Sequence, residues 1–118
     1  MSPSRSTNVT IINKLGYDLV LDSANVSHGE WSQGLNPPKL ISANSQASFQ
    51  AESAGFMTGD EGSFSYSNPS VGTFNCSFDN PFSGSNDYSE TAPAGYIAIR
   101  SGGSGDNAEV TWTLQKVN

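Results

Sequence analysis

His28 is the only histidine in the chain, so any chemistry that needs an imidazole base must pass through it. Ser27 and Glu30 lie beside it. A nucleophilic triad, however, needs its three groups oriented in space, and in a chain this rich in serine a neighbouring hydroxyl carries little information. His28 therefore reads as a polar or strand-end residue. No two carboxylates show the spacing of an acid/base couple, so the sequence is not expected to encode an enzyme. Cys76 is the only cysteine and stands between Phe74 and Phe78, where a small apolar side chain is wanted. It reads as a buried, inert thiol. One Cys and one His do not make a zinc site. Asp60, Glu61 and Asp106 lack the regular acidic spacing of a calcium loop and read as turn residues. Gly102-Gly-Ser-Gly105 lacks the Lys-Ser/Thr ending of a phosphate loop and reads as a link between strands. Neither a metal nor a cofactor is expected.

The residues with a more telling placement are apolar ones beside turn signals. Phe56 and Met57 follow Gly55, and Phe82 follows Pro81. Aromatic side chains at loop tips sit well at a bilayer interface and gain little from water. Trp31 and Tyr88 are further candidates, expected as exposed rings. Trp31, Phe56, Met57, Phe82 and Tyr88 are thus the candidate membrane- or receptor-binding set. Inserting the three loop-tip residues would yield roughly 5–8 kcal/mol, equivalent at best to about micromolar binding by one copy. Several linked copies would bind tightly.

Short strands must position these residues. Val9, Thr10, Ile11 and Ile12 form a β-branched run, and after Gly16 the sequence alternates through Leu19 and Leu21, which suggests a hairpin. Ala47-Phe49-Ala51, Phe64-Tyr66, Phe74-Cys76-Phe78, Ile97-Ile99 and Val110-Trp112-Leu114 continue the period of two. The connections are expected at 33–38, 55–62, 80–87 and 102–107, and Pro37-Pro38 forbids a central strand there. Strands this short and closely spaced indicate an all-β, antiparallel sandwich in one domain over residues 7–118. The Ser-rich residues 1–6 read as a disordered tail. Only Ala108–Val117 looks long enough to cross a bilayer as a strand, and its Val110, Trp112, Leu114 stripe reads as core.

The charge narrows the partners. Of 118 residues, 11 are acidic and 5 basic, for a net charge of -6. Nucleic acid needs a clustered basic footprint and is excluded as a partner. Anionic membranes are disfavoured, at roughly 1 kcal/mol per charge near the surface, which leaves zwitterionic lipid, glycan or a protein receptor. A lone cysteine and the lack of an apolar stretch after Met1 point to cytoplasmic synthesis without a signal peptide. Action outside the cell would then require lysis, an inclusion or an unconventional exit.

Ala51-Glu-Ser-Ala-Gly-Phe-Met-Thr-Gly-Asp-Glu-Gly62, Phe78-Asp-Asn-Pro-Phe-Ser-Gly-Ser-Asn86 and the tail Gly102–Gly105 with Val110–Gln115 resemble the small component of the binary insecticidal crystal toxins of Bacillus thuringiensis. That component belongs to the aegerolysin family. The resemblance covers nearly the whole chain. It implies a β-sandwich that binds a target-cell membrane lipid or receptor and permeabilises membranes together with a larger partner toxin, with a homo-oligomer as a further option. Many fungal aegerolysins carry a Trp-rich segment where Phe78, Asn80 and Phe82 lie here, so a sphingolipid preference does not carry over. The expected function is a non-enzymatic, membrane-binding component of a pore-forming insecticidal toxin. The alternative is a soluble carbohydrate-binding module that uses Asn/Asp-rich loops with Trp31 and Tyr88 as stacking faces.

Overall fold

Period-two alternation builds both sheets. In the last strand Ala108, Val110, Trp112 and Leu114 are buried, while the residues between them are partly or fully exposed. The computed structural model describes residues 3–118. They form ten strands: β1 Ser6–Asn13, β2 Leu19–His28, β3 Glu30–Trp31, β4 Leu40–Ile41, β5 Ser45–Glu52, β6 Asp60–Asn68, β7 Gly72–Asn80, β8 Asp87–Thr91, β9 Tyr96–Gly102 and β10 Asn107–Lys116.

Two five-stranded sheets result, in the orders β3-β5-β1-β10-β9 and β4-β2-β6-β7-β8. The fold is the expected all-β sandwich. Its strand pairs are antiparallel except for β1 and β10, which run parallel at the centre of the first sheet. Val9, Ile11, Phe49, Val110, Trp112 and Leu114 meet Leu19, Phe64, Tyr66, Phe74 and Cys76 in one core. Aromatic rings cross it edge to face: Phe49 on Phe64 at 4.9 Å, and Phe64 on Trp112 at 5.7 Å. The buried indole is satisfied by donating to Glu90 Oε1 at 2.9 Å.

Four expectations change. Val9–Ile12 and Leu19–Leu21 do not form a hairpin, because β1 and β2 lie in different sheets. Between them Asn13, buried, donates to the carbonyls of Tyr17, Ile41 and Ser42 and accepts from Leu15 N, which turns the chain across the sandwich. β2 is as long as β10, at ten residues, but bulges at Asp22 and Ser27 interrupt its alternation. The tail placed over residues 1–6 is not disordered at its end. Ser6 opens β1, and Arg5 and Ser4 are bonded to Ser53; Met1 and Ser2 lie outside the described residues. Asp60 and Glu61, read as turn residues, open β6 instead.

The strand register sorts the connections to two ends. Ser6 pairs with Glu52 and Asn107, and Asp60 pairs with Asn80. Loops 53–59, 81–86 and 103–106, the bend at Gly29 and the N-terminal residues therefore share one end.

Candidate functional site

The end that gathers these loops is built on a turn that displays its apolar residues. In loop 53–59 Thr58 Oγ1 donates to the Gly55 carbonyl at 2.9 Å, closing a tight turn. Met57 takes a left-handed conformation, φ 55°, which costs a residue with a Cβ roughly 1–2 kcal/mol. The turn leaves Phe56 90% and Met57 56% exposed. Gly59 lies directly against the next loop. A Cβ there would overlap the Asn80 carbonyl oxygen and come within 2.7 Å of Pro81 Cα, so only glycine lets the two loops touch through their backbones.

Phe82 stands across from Met57. A cleft of about 560 Å³ runs between them, lined among others by His28, Met57, Asp60, Glu61, Asp79 and Phe82. On the other side of the turn an apolar hollow of about 680 Å³ is bordered by Pro3, Glu52, Phe56, Met57 and Phe82. The tip thus rises between two concavities.

Its rim is acidic. His28 Nδ1 lies 3.0 Å from Glu61 Oε1, an exposed pair at the end of β2. Burial, then the neighbouring Glu61 and Asp87 charges, raise the Asp79 carboxyl above its ordinary range, and His28 offsets part of this. Asp60 lies deeper. Burial pushes its carboxyl up to about 6, although the Thr7 hydroxyl donates to it at 2.6 Å; Asp79 and Glu52 add to the rise.

The candidate residues separate into two groups. Phe56, Met57 and Phe82 come together at this end. Trp31 and Tyr88 are not the exposed rings expected. Trp31 packs on Phe49 at 5.9 Å and Phe78 at 6.0 Å, and Tyr88 packs on Trp112 at 6.0 Å while its hydroxyl donates to Gly103 O at 2.8 Å. Each is half-buried at a margin of the core. A polar cleft of about 420 Å³ lies beside Tyr88, with Arg100 stacked 5.1 Å over its ring, and is lined by loops 81–86 and 103–106, which Asn86 joins by donating to the Gly103 and Gly105 carbonyls at 2.9 Å. Arg5 and Asp60 carry more of this end than their sequence surroundings suggest. Among the described residues no group of three or more His, Cys, Asp or Glu side chains could hold a metal ion.

The molecule is a two-sheet β-sandwich that displays an apolar loop tip above an acidic rim. Its sequence matches the aegerolysin family over residues 4–116, and the chain belongs to that family. No curated protein sequence matches it. Solved structures that share the fold include three with TM-scores of 0.77 or more. RahU, crystallised with a TRIS molecule, is 22% identical with a TM-score of 0.81, covering 99% of this chain and 98% of its own. The lipid-binding protein Nakanori is 14% identical with a TM-score of 0.84, covering 98% and 73%. IP-1A from Alcaligenes faecalis is 19% identical with a TM-score of 0.77, covering 99% and 94%.

Proposed function

We propose that this aegerolysin binds lipid membranes through the loop end of its sandwich, without catalysis, as the recognition component of a pore-forming insecticidal toxin whose larger partner supplies the pore. The observation that carries this reading is the Phe56–Met57 tip, exposed on a strained turn beside Phe82. An aromatic and a flexible thioether, held out of the core at local backbone cost, suit insertion below lipid headgroups. Membership of the family and the likeness to a lipid-binding protein support it.

Charge and size set the terms of binding. Glu52, Asp60, Glu61 and Asp79 border the tip or its two hollows, so anionic headgroups are repelled and zwitterionic ones favoured. Burying Phe56 and Met57 yields about 3–6 kcal/mol, weaker than a micromolar complex, so useful affinity requires several copies or a partner. A pore by one copy is disfavoured as well. A membrane barrel needs at least eight strands with lipid-facing apolar stripes, and the long strands β2, β6, β7 and β10 spend their apolar faces on the core.

The test is co-sedimentation with vesicles from a panel of zwitterionic phospholipids and sphingolipids, with and without phosphatidylserine. Binding is expected to zwitterionic vesicles, to weaken as phosphatidylserine rises, and to fall about a hundredfold or more in a Phe56→Ser, Met57→Ser double variant. Absence of binding to every vesicle, or binding to glycans that free sugar competes away, would overturn the reading in favour of carbohydrate recognition.

A further inference from the structure

We propose that Ser4–Ser6 is a strap that sets the relative position of the three loops at the membrane-facing end, with Arg5 as its positioning residue. The membrane part of this statement rests on the function proposed above; the strap itself does not.

Three consecutive residues reach all three loops. Toward loop 53–59, Arg5 N donates to Ser53 Oγ at 3.1 Å, Ser53 N donates back to Arg5 O at 2.9 Å, and the Ser4 and Ser53 hydroxyls lie 3.2 Å apart. Toward loop 81–86, the Arg5 guanidinium donates from Nε to Pro81 O at 3.3 Å and from Nη2 to Phe82 O at 2.5 Å. The same guanidinium lies 4.8 Å from the centre of the Phe82 ring. Toward loop 103–106, Arg5 Nη1 lies 3.5 Å from Asp106 Oδ2, and Ser6 N donates to Asp106 O at 3.0 Å.

The chemistry requires arginine. A planar fork can donate side-on, from Nε and Nη2, to consecutive carbonyls while its face covers an aromatic ring; an ammonium is a single point of charge and cannot do both. The side chain is only 16% exposed, so these bonds are sheltered from competing water, unlike the Asp106 partner, which is 69% exposed and contributes little. Phe82 is thereby held at its backbone and its ring together. Ser53, which borders the apolar hollow together with Phe82, anchors the start of the loop that carries Phe56 and Met57.

Arg5→Ala and Arg5→Lys are the test, read by hydrogen exchange of segments 53–59 and 81–86 in water and by vesicle co-sedimentation. In both variants exchange in segment 81–86, where the side-chain bonds are lost, is expected to rise about tenfold or more, with segment 53–59, held by the Arg5 main chain, and the β10 amides unchanged. Vesicle binding is expected to weaken about tenfold, to the same extent in the lysine and alanine variants. Unchanged exchange in segment 81–86, or full rescue by lysine, would overturn the strap. If the unaltered protein binds no vesicle, the membrane reading fails while the exchange result still decides the strap. A global loss of protection in Arg5→Ala and Arg5→Lys alike would also overturn it, by showing that Arg5 supports the whole fold rather than the loops.

Discussion

Asp60 and Asn80 are directly paired across β6 and β7, each 1% exposed, and each keeps one side-chain oxygen with no donor: Oδ2 of the aspartate and Oδ1 of the asparagine. Their remaining atoms are committed. Thr7 donates to Asp60 Oδ1, and Asn80 Nδ2 donates to the carbonyls of Ser6 and Asp106. The pair pins the two sheets together beneath the loops.

A carboxyl raised to about 6 binds its proton more tightly when folded than when unfolded, where its value is near 3.8. Its contribution is therefore greatest below about pH 4, declines as the pH rises toward 6, and is constant above that. Asp60→Asn keeps the shape and removes the titration. Denaturant unfolding from pH 4 to 7 should show the original protein losing roughly 1–3 kcal/mol more than the variant across this window. Parallel pH profiles for the two would refute the assignment.

Glycine is required at position 59 of this end and dispensable at position 16, at the other end of the molecule. Gly59→Ala forces apart loops 53–59 and 81–86, and is expected to destabilise by about 1–3 kcal/mol and to weaken vesicle binding. At Gly16 an added Cβ meets nothing within 4 Å. Gly16→Ala should be neutral or stabilising by up to about 1 kcal/mol, with vesicle binding unchanged. Thermal melts of the two variants provide the check, and equal effects would count against the backbone contact.

Cys76 is packed between the sheets, and burial, with Glu90 adding to it, pushes its thiol far above the ordinary range. A thiolate is the reactive form, so native protein should resist iodoacetamide at pH 8, with labelling appearing only on unfolding. Rapid labelling of folded protein would show that the core opens at β7. This inertness leaves a buried small residue as its role, as its place between Phe74 and Phe78 in the sequence indicated.

The β-sandwich was legible because alternation is local: Val110, Trp112 and Leu114 announce their shared face within five residues. Loop-tip Phe56 and Met57 were legible for the same reason, since Gly55 marks the turn beside them. What escaped was non-local. Whether β2 returns beside β1 or crosses to the other sheet depends on Asn13 reaching carbonyls 28 and 29 positions away. Trp31 and Tyr88 read as exposed stacking rings in the sequence, yet each ring finds partners from distant strands. Asp60 follows Thr58-Gly59 and so resembles a turn residue, and only its pairing with Asn80 reveals it as a buried strand position. Arg5 sits in a serine-rich stretch with no local pattern at all; its partners at Pro81 and Phe82 lie 76 and 77 positions away.

The parallel pairing of β1 with β10 carries a consequence for how the chain acquires its shape. Ser6 pairs with Asn107, about a hundred positions later, and closing a loop of that size costs about 4 kcal/mol in chain entropy before any contact offsets it. A ribosome must deliver the chain through β10, Asn107–Lys116, before the centre of the first sheet can assemble. Until then Val9 and Ile11 wait with one flank of their strand open to other chains. Folding should accordingly be slow for so small a domain, in the millisecond-to-second range of proteins dominated by distant pairings. The window for aggregation closes only when the final strand slides in beside the first.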